Sequence, residues 1–241
     1  MPVHPICIRT VSLAPEFSPD VLPRIRDLGF DAIELSFNRQ PGLDPADERR
    51  AARVRADAER LGLFVTGHAP EDAWISNPNV ALALSAARHL AEAAAGMSRY
   101  GARTMVVHAC PGHPAVADRA RAQMDALCAA MEVLAGAAER HDIHVLVETL
   151  TRQSGGFTSS LDNILEALDR VGSPRVGVCV DTNHLNTTEP LVPGLRRVGR
   201  RLGECHCNDN HGVQEEHLLP FDGGIDWPAF ADVLVDIGFK G

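Results

Sequence analysis

Nowhere in this chain do about 18 uncharged apolar residues run together, so no membrane-spanning helix is expected. The first residues, MPVHPICIRT, have neither the basic nor the apolar part of a secretory signal, and a cytoplasmic location is the expectation. The six cysteines (Cys7, Cys110, Cys128, Cys179, Cys205 and Cys207) form no CxxC pair. That argues against a thiolate zinc site, and a reducing compartment would keep them as thiols. Cys205 and Cys207 flank His206 on a strand-like stretch, where alternation turns both sulfurs away from the imidazole, and they are expected to be buried. Positive charge is also short. Lys and Arg total 23 against 32 Asp and Glu, a formal net charge of −9. Such a balance disfavours diffuse binding to phosphate backbones or anionic lipid and suits a site that draws cations. No Pro/Gly/Ser linker or low-complexity tract interrupts the chain, and a single domain over residues 1–241 is expected.

What the sequence does contain is an alternation. Short apolar runs stand at residues 8–13 (IRTVSL), 31–37 (DAIELSF), 63–69 (LFVTGHA), 104–110 (TMVVHAC), 145–150 (VLVETL), 176–182 (VGVCVDT) and 204–209 (ECHCND). Longer segments with helical spacing fill the gaps at 45–62, 80–101, 119–141, 160–172 and 227–238. Gly29, Gly62, Gly101, Gly172 and Gly238 stand where such helices would stop. Repeated β-then-α units with fully apolar strands imply a parallel sheet covered by helices. Seven units fit a (β/α)8 barrel better than an open doubly wound sheet. The Gly-rich fingerprint of a dinucleotide-binding fold is also absent after the first strand.

The ends of the apolar runs carry the chemistry. The third ends at His68, the fourth at His108, the fifth at Glu148 and the sixth at Asp181, with His184 one turn on, and the seventh contains His206. In a parallel barrel these C-terminal strand ends share one rim, where active sites sit. A lone histidine on an apolar strand is usually a core residue with a partner. Five consecutive strands ending in His, Glu or Asp ask for a common cause. Such groups crowded together repel one another unless a cation lies among them, which points to a divalent metal. Mixed imidazole and carboxylate suits Mn2+ or Zn2+ first, with Co2+ or Mg2+ as alternatives, over Ca2+. Glu215 and His217, in the loop after the seventh run, are further candidates, and His113 is a weaker one. Asp226 reads as the cap of the last helix. His89, His141 and His144 read as structural, and Phe37, Trp74, Phe157 and Phe221 as residues that could shape specificity.

At these residues the sequence resembles the xylose isomerase-like TIM-barrel superfamily, which holds the sugar phosphate isomerase/epimerase group and, more distantly, endonuclease IV. GFDAIELSF, GARTMVVHACPG, LVETL, VDTNH, ECHCND and HLLPFDGGIDW each resemble one of its pieces, in order, over essentially the whole chain. The resemblance implies that Glu148 binds metal and moves a proton, that Asp181 and His206 are further metal ligands, and that His184 lies near substrate or a second metal. It also implies that His68, His108, Glu215 and His217 resemble the wider metal cluster of endonuclease IV, with Glu215 the looser match. The family pattern continues into an eighth strand ending in glutamate. The chain stops at Gly241, so a barrel truncated at its C-terminus and lacking that strand is expected, with exposed edges that would favour a homodimer.

Three functions fit. The first is a metal-dependent isomerase or epimerase, or a related lyase or dehydratase, acting on a small sugar or polyol ketone through a metal-stabilised enediolate. Its catalytic residues would be Glu148 and His184, and its metal ligands Glu148, Asp181 and His206. The second is an endonuclease IV-like multi-metal phosphodiesterase. The acidic charge and the short SFNRQPG loop, offering only Phe37 and Arg39 as a duplex wedge, weigh against it, so nucleic acid is not an expected partner. The third is a non-catalytic metal- or sugar-binding protein.

Overall fold

The computed structural model of the chain describes residues 4–37, 40–109 and 119–241. Cys110, His113 and Arg39, all named above, lie outside the described residues. Seven strands pair in parallel and in chain order: β1 (Cys7–Arg9), β2 (Ala32–Ser36), β3 (Phe64–His68), β4 (Ala102–Val107), β5 (His144–Glu148), β6 (Val176–Asp181) and β7 (Leu202–His206). Around them run α1 (Leu22–Asp27), α2 (Glu48–Leu61), α3 (Val80–Arg99), α4 (Ala120–His141), α5 (Leu161–Val171), α6 (Thr182–Thr188), α7 (Leu191–Val198) and α8 (Trp227–Asp236). This is a TIM-barrel architecture with no eighth strand between β7 and β1 among the described residues.

Local chemistry accounts for the elements. Every residue of β2 and β6 is buried, as parallel strands covered on both faces require. The α2 helix opens on Asp47, whose carboxylate accepts the Arg50 N–H at 2.9 Å, and it closes on Gly62 at φ 66°, a conformation glycine adopts without strain. As expected, Asp226 caps α8, accepting the Ala229 N–H at 3.0 Å.

Two apolar bodies hold the fold together. The larger fills the space between sheet and helices. The smaller consists of Val106, Leu146 and Cys179. Each of these three stands two residues before His108, Glu148 or Asp181, so strand alternation puts them on the same face one layer down. They form an apolar floor under the strand ends. Leu146 is seated there because two strand neighbours lack side chains: a Cβ on Gly203 would come within 2.5 Å of Leu146 Cδ2, and one on Gly177 within 3.1 Å.

The structure departs from the sequence expectations in four places. The first strand is shorter, because residues 10–12 turn into a 3-10 helix in which the single Thr10 O–H has the Glu34 carbonyl and Gln40 Oε1 within hydrogen-bond reach. The polar stretch after β6 forms α6 and α7, which apolar periodicity did not mark. Cys207 is exposed rather than buried; it lies just past the end of β7, which among the described residues pairs only with β6. Phe37 and Phe157 are core residues at 8% and 2% exposure, whereas Phe221, at 76%, stands out from its loop.

Candidate metal centre at the strand ends

β3, β5, β6 and β7 end on His68, Glu148, Asp181 and His206, and His108 follows β4 directly. The barrel brings these five together with Glu148 at the centre. Its Oε2 lies 3.2 Å from His68 Nε2 and 2.9 Å from His108 Nε2. Its Oε1 lies 3.0 Å from His206 Nδ1 and 3.6 Å from His184 Nδ1. Asp181 Oδ2 is 4.0 Å from His206 Nδ1 and 3.8 Å from His184 Nδ1, while Asp181 Oδ1 accepts the backbone N–H of His184 at 3.0 Å and so caps α6. That cap is the local reason for the DTNH spacing: it folds His184 back over the rim.

Two imidazoles have their tautomers set by backbone. His184 Nδ1 is 2.8 Å from the Thr149 carbonyl and His68 Nδ1 is 3.1 Å from that of Ala69, and a carbonyl can only accept. In the neutral rings the Nε2 lone pairs then face Glu215 Oε1, at 3.5 Å from His184, and Glu148, respectively. Glu215 also lies 3.3 Å from His217 Nε2. His217 is an exposed residue at φ 53°, so it reaches the rim only through Glu215.

The electrostatics match a cation site. Burial by itself would raise Glu148, but the His206 charge and the His108 hydrogen bond outweigh burial and hold it well below the usual carboxylate range. Burial opposes charge on His206, yet Cys179, Glu148 and Glu34 lift its pKa well above the ordinary imidazole value. His68 is lifted against burial by its hydrogen bond to Glu148, and His184 by the charges of Asp181 and Glu148. Burial raises Asp181, with Glu148 adding to the effect. Protons on imidazole thus balance the buried carboxylates, and a divalent cation would replace those protons.

Among the described residues, three sets of donor atoms lie within 4.8 Å of one another: His68, His108 and Glu148; Glu148, Asp181 and His184; and Glu34, Glu204 and His206. The first two share Glu148 and use only residues singled out from sequence. The third was missed. Glu34 and Glu204 sit inside strands, and the available signal was a carboxylate within an otherwise apolar parallel strand, as in AIELS. Glu204 accepts the hydroxyls of Thr66 at 3.3 Å and Thr104 at 2.9 Å, and burial together with the charge of Glu34 raises it to about 7.

Below the rim, Asp209 ties down the loop after β7. It accepts the N–H groups of Asn210 (2.8 Å), Phe221 (3.0 Å) and Ile225 (3.1 Å) and the Trp227 indole N–H (2.8 Å). This structural knot accounts for most of HLLPFDGGIDW: a Cβ on Gly223 would come within 2.4 Å of the Asp209 carboxylate.

A family model described as "Xylose isomerase-like TIM barrel" matches residues 22–241. The chain belongs to this family. The xylose isomerase-like chain is 29% identical over 125 residues to a D-psicose 3-epimerase of Enterocloster bolteae; the match covers 52% of the chain but 38% of that enzyme's length. It is 26% identical over 221 residues to an L-ribulose 3-epimerase of Mesorhizobium japonicum, covering 90% of the chain and 71% of the relative. A crystal structure of a D-tagatose 3-epimerase-like protein superposes with a TM-score of 0.86 at 19% identity, covering 99% of this chain and 88% of the other. At that identity the superposition speaks for the fold. Among the described residues no helix is long and apolar enough to cross a membrane.

Proposed function

We propose that this protein is a divalent-metal-dependent epimerase or isomerase of a small ketose-like sugar. The observation that carries the reading is the placement of Glu148: a buried carboxylate, held as an anion, at the end of β5 and ringed by His68, His108, His184 and His206. The sugar epimerases among its relatives support the same reading. The donor set, imidazole and carboxylate without thiolate, fits Mn2+ or Zn2+, with Glu148, Asp181 and His206 as the residues that would hold it. A cation held there supplies fixed positive charge opposite the negative charge that develops on a carbonyl oxygen. Glu148 takes the proton from the carbon beside that carbonyl; returning it to the neighbouring carbon isomerises the sugar, whereas epimerisation needs a second group to deliver a proton to the opposite face. The position of Glu148 among the imidazoles keeps it deprotonated, and its burial keeps water away from the transfer. His184, with Nδ1 pinned to the Thr149 carbonyl, turns Nε2 toward the mouth, where it orients a substrate hydroxyl. Glu215 beside it extends the hydrogen-bonding rim.

One observation favours a second reading. The His68–His108–Glu148 set could hold a metal of its own while sharing Glu148 with the Glu148–Asp181–His184 set, which suits the multi-metal phosphodiesterase alternative. One experiment tests both: metal analysis of the purified protein, with proton–deuterium exchange into a panel of ketoses and cleavage of abasic-site DNA measured in parallel. About one metal per chain with exchange supports the epimerase, whereas about three with cleavage supports the nuclease. Neither reaction with any added metal would refute both and leave a binding protein.

A further inference from the structure

Glu34 lies in the middle of β2 and is 1% exposed. A carboxylate so placed is tolerated only with partners; here Oε1 has the Arg9 guanidinium as an ion-pair partner without a directed hydrogen bond, and Oε2 has His206. Oε1 lies 2.6 Å from Arg9 Nε, and Oε2 lies 2.9 Å from His206 Nε2. Arg9 is itself steadied by donating to Ser36 Oγ at 3.2 Å. The imidazole of His206 therefore bridges two carboxylates, with Nε2 toward Glu34 and Nδ1 toward Glu148 at 3.0 Å. An ionised carboxylate only accepts, and a neutral imidazole has one N–H and one lone pair. With Glu34 holding the Nε2 proton, the lone pair belongs to Nδ1, which is the nitrogen that faces Glu148 and Asp181.

We infer that Glu34, braced by Arg9, is a positioning residue that fixes the ring and tautomer of His206 so that Nδ1 is the metal-binding nitrogen. The inference rests on the metal-centre reading above. It also separates two roles that the Glu34–Glu204–His206 set leaves open. A second cation between Glu34 and Glu204 would lie beside the Arg9 guanidinium, which already neutralises Glu34, and Glu204 already accepts two hydroxyl groups. That side of His206 supports the ligand; it is not another cation site.

The topology gives this support unusual weight. Among the described residues His206 stands on β7, an edge of the sheet, with a strand neighbour only on the β6 side. Arg9 stands on β1, the opposite edge, and Glu34 on β2. The chain of contacts Arg9–Glu34–His206–Glu148 links the two edges through side chains where the backbones do not pair. Without Glu34, Nε2 would lose its carboxylate partner, and the His206 ring would be held by the β6 ladder, Glu148, Cys179 and the stacked His68 ring.

The test compares Mn2+ binding by isothermal titration calorimetry in the wild type, Glu34→Gln, Glu34→Leu and Arg9→Met, with thermal melts to establish folding. It adds a long-range proton–nitrogen spectrum of the zinc-loaded wild type, in which His206 is assigned through His206→Gln. Loss of a support of this kind costs roughly 10–100-fold in metal affinity. That loss is expected for Glu34→Leu. Glu34→Gln should fall between it and the wild type, because its carboxamide oxygen can still accept the Nε2 proton, and Arg9→Met should also weaken binding. The spectrum should show Nε2 protonated and Nδ1 metal-bound. Folded Glu34 variants that bind Mn2+ as tightly as the wild type would overturn the inference and leave the metal centre standing. So would a metal on Nε2 in the wild type, a result that does not depend on any variant folding. A wild type that binds no metal would remove the metal-centre reading and this inference together.

Discussion

Replacing Glu148 with Gln changes almost nothing but charge, which makes it a clean perturbation of the centre. The side chain is 2% exposed, and Gln matches its volume, so no cavity opens. What is lost is the anion that faces His68, His108 and His206 at 3.2, 2.9 and 3.0 Å. In catalysis the variant loses a positioned base, worth about 10²–10⁴-fold, or roughly 3–5 kcal/mol of barrier. In stability, breaking a buried pair costs up to about 3–5 kcal/mol, but only while the stranded imidazoles stay charged. The sign follows from the shifts. Glu148 is lowered, so its contribution is present above its unfolded value of 4.5 and is lost as pH falls. His68 and His206 are raised, so theirs is full below 6.5 and fades as pH rises through their folded values. The stability gap between the metal-free wild type and Glu148→Gln should therefore be widest between about pH 4.5 and 6.5 and should narrow in mild alkali. Melts across this range, with deuterium exchange at the carbon beside the ketose carbonyl, measure both effects. Exchange within about tenfold of the wild type would remove Glu148 from proton transfer. A gap that widens with rising pH would refute the charge argument.

Metal affinity should itself depend on pH. The His206 proton must leave, so apparent affinity should rise with pH through and above 6.5, by up to about tenfold per unit for each displaced proton, as read by calorimetry. Asp209→Asn removes a charge that accepts four N–H groups and should cost roughly 3 kcal/mol, or about 6–12 °C in melting temperature. Because Asp209 is lowered, mainly by the Trp227 hydrogen bond acting against burial, that difference should vanish as pH falls below 3.8. Leu146→Ala, in the floor between Gly177 and Gly203, should lower melting by roughly 4–20 °C, since neither glycine offers atoms to refill the gap.

The gathering of the candidate side chains at the strand ends was legible in the sequence because each closes an apolar run. His68, Glu148, Asp181 and His206 all stand at the last position of their strands. His184 was legible as one turn beyond Asp181, though the helix that carries it was not, because α6 is short and polar. Glu34, Glu204 and Arg9 escaped notice, since each lies inside or beside a strand, where pattern alone cannot tell an inward carboxylate from an outward one.

The sequence by itself determined the βα alternation, the parallel order that follows from it, and the rim on which the chemistry falls, because apolar periodicity and helix-stop glycines are local signals. Only the tertiary structure decided that Glu148 is the hub, that two backbone carbonyls and Glu34 set the imidazole tautomers, and that Cys207 lies open on an edge. Those outcomes depend on distances between groups up to 172 residues apart in the chain, such as His206 and Glu34, which no local pattern encodes.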